Sequence, residues 1–178
     1  QGRVPKLHPD FLQRGLARTE AEWQGPSTAR LVRPVRKVHA ADPPAVPGAG
    51  PRPGREDPAP VVAALMVRRN PDGSLDLANA RDVTDVFAGG AAEGVVEVPE
   101  GLWLGMVFYE QADLNSWVGF GGFTNVLDSG AVRAFIRSTH EEYRRRFPWA
   151  AGTVMPASMD DETSLCWPAW TPGLLEDF

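Results

Sequence analysis

Between residues 41 and 60 the chain places seven prolines and three glycines in twenty positions. Proline has no N–H to give to a helix or a ladder, and glycine loosens the backbone, so this stretch holds neither a helix nor an interior strand. It reads as an exposed connection, and whatever folds must fold on either side of it. The two flanks differ in charge. Residues 1–69 hold 12 basic and 6 acidic side chains, and 70–178 hold 6 basic and 17 acidic. The net charge of -5 argues against a nucleic-acid partner, which calls for a basic face with aromatics among the cations.

Ahead of the proline-rich stretch, Pro9 suits a first helical turn. Phe11, Leu12, Leu16, Thr19 and Trp23 then fall near one face until Gly25-Pro26, predicting an amphipathic helix over about 9–24. TARLVRPVRKV, 28–38, alternates apolar and basic residues as a half-exposed strand does, with Pro34 directing it to a sheet edge. After the stretch, VVAALMV (61–67) reads as a strand, NPDGS as a turn and SLDL as its partner strand. VVEV (95–98) and LWLGMVFYE (102–110), separated by Pro99-Glu100-Gly101, extend this into antiparallel hairpins.

Residues 115–122 are a glycine- and aromatic-rich loop. Asp128 then caps a strong helix, 129–146, in which Val132, Phe135, Ile136, Thr139 and Tyr143 share a face and Arg144, Arg145 and Arg146 sit at the negative end of the dipole. TVMPASM is expected to run extended into Asp160, Asp161 and Glu162, a strand end over 153–162. Helix, short loop, strand and functional side chains at the strand end is the order of a parallel α/β unit. Three adjacent carboxylates repel and are costly to bury, so stability alone gives little reason for them and catalysis gives one.

At 178 residues with 43% hydrophobic content the chain can build an ordinary core. The single Cys166 makes no internal disulfide and leaves the compartment unread. No apolar run approaches the roughly 18 residues of a membrane span, and no signal peptide opens the chain. A start at Gln1 and a close on LLEDF read as a piece of a longer protein.

FTNVLDSGAVRAFIRSTHEEYRRRF, GTVMPASMDDETS and PAWTPGLLEDF together resemble the catalytic region of large α-L-rhamnosidase-like glycoside hydrolases. In that family a helix of the form LDPEAV..FI..THE.YY.RF precedes a TDEP-like motif. Asp161-Glu162 matches its Asp-Glu, Thr163 stands where proline is usual, and Asp160 replaces a smaller polar residue. GRVPKLHPDFLQRGL and the segment 61–110 resemble earlier parts of the family at the level of pattern. The resemblance implies a fold of class α/β, a partial (β/α) TIM-type barrel with an inserted antiparallel β-rich subdomain. Its division is 1–26 and 113–178 for the barrel and 27–112 for the insertion.

The resemblance further implies cleavage of a glycosidic bond, with α-L-rhamnosides among the candidate substrates, and Glu162 as proton donor. Glycoside hydrolysis needs one protonated carboxyl group and an opposed carboxylate. Neighbouring Asp160 and Asp161 would favour the protonated form of Glu162. Adjacent strand residues face opposite ways, so Asp161 supports Glu162 and does not oppose it. The family's second carboxylate lies beyond residue 178, in the missing C-terminal half of the catalytic region.

Asn125, Trp117 and Asp160 are the candidate sugar contacts, against plainer roles as a turn residue, a local core aromatic and a solvated acid; Phe120 and Phe123 share the plug-or-stack alternative. His8 reads as a residue at a helix entrance. His140-Glu141 lacks a second ligand one turn on, where Arg144 stands, so no metal site is expected. GFGG at 119–122 is not a phosphate loop. No organic cofactor is implied, and calcium is compatible but not indicated. The alternative is a non-catalytic carbohydrate-binding or interaction protein whose β unit supplies the surface, or an inactive remnant.

Overall fold

The computed structural model describes residues 14–37, 56–112, 124–157, 169–171 and 173–177. Its centre is a ribbon of two very long strands, β1 (Arg14–Val32) and β6 (Glu93–Ala112), paired antiparallel over almost their whole length. Between them in sequence come β2 (Val35–Lys37), β3 (Glu56–Pro58), β4 (Val61–Arg69) and β5 (Arg81–Asp82); β7 (Ala169–Trp170) follows much later. The main sheet has the order β5-β4-β6-β1-β7, and β2 pairs with β3 apart from it. Every strand pairing among these elements is antiparallel.

This overturns the expected partial TIM-type barrel, which requires parallel strands with a helix between each pair. The helix expected over 9–24 is overturned too, since β1 occupies residues 14–24. Arg18, Glu20 and Glu22 point to one face of the strand, opposite Phe108, Met106 and Leu104 in register. Thr19, Ala21 and Trp23 point to the other. The predicted boundary at residue 26 falls inside β1.

Pro99-Glu100-Gly101 does not close a hairpin, because β6 runs straight through it. Across the ribbon Gly25 pairs with Gly101 and Ser27 with Val98, so Pro26 alone faces Pro99 and Glu100. A bulge of this kind bends a strand pair sharply. Gly101 takes φ +116, which a side chain rarely tolerates. The bend doubles the ribbon onto itself. Leu31 pairs with Gly94, eleven residues before Gly105 (105 − 94) and roughly 36 Å from it along a straight strand. Its Cδ2 nonetheless lies 3.0 Å from the position of a Cβ on Gly105.

The fold-over creates the main core. Ala29, Leu31, Val96 and Val98 from the turned-back half pack against Ala64, Met66, Trp103 and Val107 of the sheet, with Phe87 joining from the connection before β6. On the opposite face Val67, Leu104 and Met106 are covered by Leu75 and Ala80 from the β4–β5 connection. The proposed partner strand SLDL contributes only a bridge from Leu75 to Arg69 before a 3₁₀ turn over Leu77–Asn79. Thr84 closes that connection: its Oγ1 accepts from the Ala64 N–H at 2.9 Å and donates to Asp82 at 2.6 Å. The same hydroxyl, with the Thr84 N–H, holds the Asp82 carboxyl below the usual carboxylate range.

Glu110 joins the remaining pieces. It accepts from Arg36 of β2 at 2.9 Å and lies 3.8 Å from Arg14 at the start of β1, all three side chains being 14–16% exposed.

Candidate functional site

The helix capped by Asp128 lies where the apolar spacing puts it. It comprises α1 (Ser129–Ile136), a π-helical turn (Arg137–Glu141) and α2 (Glu142–Arg146). Asp128 Oδ1 accepts from the Gly130 and Ala131 N–H groups at 2.6 and 3.1 Å, satisfying two orphan donors of the first turn. The face carrying Phe135, Ile136 and Tyr143 is not covered by the sheet; these residues are 39–54% exposed.

The π turn brings Phe135 and His140 edge to face at 5.6 Å, so His140 stacks on its own helix. No group of three or more His, Cys, Asp or Glu among the described residues could hold a metal ion. No helix among them is long and apolar enough to cross a membrane.

Asn125 is buried, with 3% exposure. Its Oδ1 accepts from the Leu127 N–H at 3.1 Å, and its Nδ2 donates to Thr171 Oγ1 at 3.4 Å. The Asn125 carbonyl accepts from the Asp128 N–H. Asn125 therefore builds the turn that launches the helix, and its side chain is spent on protein partners. Thr171 was not singled out by sequence reasoning, and a lone threonine in PAWTP offers no signal that would have found it.

Residues 152–157 do not form the expected strand. Met155 N–H donates to Ala150, and Gly152 N–H to Met155, so 150–155 form a compact turn, with Gly152 at φ +76. Thr153 tightens it by donating to Trp149 at 2.7 Å. Asp160, Asp161, Glu162 and Trp117 lie outside the described residues, as do His8, Phe120 and Phe123. The stretch that carries the three acids joins this turn to β7, which pairs with β1 at Arg14 and Gly15 and buries Trp170.

A separate concavity opens beside the sheet, where the doubled ribbon leaves a crease of about 270 Å³. Thr19, Glu20, Ala21 and Trp23 line one side and Arg30, Leu31, Val32 and Pro34 the other, over a floor of Gly105 and Val107. Trp23 sits over Gly105, where a Cβ would approach its ring to 2.5 Å. Sequence reasoning assigned Trp23 to a helix face; the alternation of charged and uncharged residues in RTEAEW is the period-2 signal that marks the strand.

Glu142, on the helix, is held by Arg145 and Arg146 at 2.6–2.9 Å. Their hydrogen bonds lower its carboxyl to about 2 from an ordinary 4.5. A folded pKa below the unfolded one contributes stability that is present above about pH 4.5 and is lost as pH falls towards 2. A carboxyl-carbon NMR titration is expected to show Glu142 ionising near 2, with Arg145→Gln moving the midpoint upward. A midpoint unmoved by Arg145→Gln would refute that attribution.

Comparison of the chain with protein-family models, with curated proteins and with solved structures finds no match.

Proposed function

We propose that the chain is part of a carbohydrate-active protein that cleaves glycosidic bonds, with Glu162 as general acid and Asp161 as its supporting group. Asp160 and Trp117 are the sugar contacts in this reading. The observation that supports it is the hydrogen bond from the buried Asn125 to the half-buried Thr171. It ties the helix motif to the PAWTP motif, the two described ends of the α-L-rhamnosidase-like resemblance, with the acidic cluster in the chain between them. The reading makes no use of a barrel. The opposed carboxylate comes from later in the parent chain, where the resemblance puts it.

Hydrolysis of an aryl α-L-rhamnopyranoside by the parent protein tests it. Glu162→Gln is expected to lower turnover about 100-fold or more, the ordinary contribution of a general acid. A substrate with a much better leaving group, which needs little protonation, should recover most of the rate. Equal turnover by variant and wild type would sink the reading.

A second reading, a non-catalytic carbohydrate-binding or interaction protein, is favoured by the crease at Trp23, where an aromatic ring stands among Thr19, Glu20 and Arg30. Sugar binding that survives Glu162→Gln and fails in Trp23→Ala would select it.

A further inference from the structure

One edge of β1 pairs with β6. Along the other, β7 takes only Arg14 and Gly15, and no strand among the described residues pairs with Leu16–Val32. Within that open edge Arg18, Thr19, Glu20, Ala21 and Glu22 are all exposed, five consecutive residues including the small Ala21. An open edge of this length is a template for another strand. Thr19, Glu20 and Ala21 of this same segment also line the crease.

We infer that this edge is a self-association surface, on which β1 of a second copy pairs antiparallel about a two-fold axis through Thr19. The charges select the occupant and the register. With Thr19 opposite Thr19, Arg18 faces Glu20 of the second copy and Glu20 faces its Arg18, two symmetric opposite-charge pairs. Ala17 then meets Ala21, so only small side chains meet on the crease side of the paired segment. Centring the axis on Glu20 would set Glu20 against Glu20, and centring it on Arg18 would set Arg18 against Arg18. A one-residue slip would join the crease face of one copy to the outer face of the other.

Arg18 and Glu20 are free to exchange partners, because their contact within one chain is 3.4 Å long with both side chains more than half exposed. Glu22 is already held by Arg69 at 2.7 Å and takes no part.

Sedimentation equilibrium on the whole chain, across micromolar to millimolar concentration, tests the surface. The wild type should sediment as a reversible dimer. Arg18→Glu and Glu20→Arg, each of which makes two like-charge contacts, should each raise the dimer Kd roughly tenfold or more. The double exchange R18E/E20R should restore it, whereas Glu100→Arg, an equal change of net charge at an exposed position on the bulge, should leave it unchanged. Circular dichroism confirms that each variant is folded. A wild type that stays monomeric, a dimer indifferent to both single changes, or a double exchange that remains weak would each overturn the inference.

Discussion

Gly25→Ala is expected to destabilise the protein by about 3 kcal/mol or more, the upper range for forcing an atom into a filled site. A Cβ at position 25 would fall inside the Pro99 carbonyl, with the Val98 carbonyl oxygen 2.8 Å away. These are backbone atoms of the paired strand at the bend, so no side chain can rotate to make room. Relief would have to come from opening the corner, which separates Leu31 and Ala29 from Met66 and Trp103 and dismantles the main core. Gly73→Ala is the control. Gly73 has φ +86 and nothing within 4 Å of its would-be Cβ, so it pays only backbone strain, about 1–2 kcal/mol. Urea unfolding of both variants measures the difference, and equal losses would show that the corner is not a steric lock.

The second large effect is expected at Trp103. Its ring is 8% exposed within the main core, and its indole N–H donates to the Pro99 carbonyl at 3.1 Å, the same carbonyl that Gly25 abuts. The Arg81 guanidinium lies 5.8 Å from the ring. Trp103→Ala should cost about 3–5 kcal/mol through the cavity it leaves. Trp103→Phe keeps most of the apolar filling but abandons a hydrogen bond worth about 1 kcal/mol. Because Trp103 and Gly25 act on one carbonyl, their effects should not add. The Gly25→Ala/Trp103→Ala double variant should lose less than the sum, by about 0.5–3 kcal/mol. Strict additivity in chemical denaturation would mean that the two residues stabilise the bend independently.

The surface chemistry of the fold follows from that corner. Doubling the ribbon exposes a crease on one side and leaves the edge of β1 open, so the same bend that makes the core also makes the concavity at Trp23. The acidic cluster belongs to a different part of the chain. The described chain that follows it is held by the Asn125–Thr171 hydrogen bond and the short pairing of β7 with β1.

Some of this was legible residue by residue. VVAALMV is a strand because a run of β-branched and aliphatic residues suits a sheet covered on both faces, and both faces of β4 are covered. The helix at 129–146 was legible because Asp128 supplies a cap and apolar residues recur at helical spacing, both local properties. The spacing of Leu16, Thr19 and Trp23 is compatible with a helix face, which competes with the period-2 alternation of RTEAEW, and pairing with β6 selects the strand. The partner of Asn125, Thr171, is 46 residues away, and no local pattern announces it.

What the amino-acid order determined on its own is therefore the helix at 129–146 with its Asp128 cap and the strand at 61–67, because these rest on interactions within a few residues. Whether Pro99-Glu100-Gly101 reverses the chain or merely bends it was decided by what lies across the ladder. With Gly25-Pro26 opposite, the motif becomes a bulge in one continuous strand, and the ribbon folds over because burying Leu31 and Val96 against Met66 and Trp103 offsets the distortion. That choice between hairpin and bend depends on contacts between residues distant in sequence, which only the tertiary structure brings together.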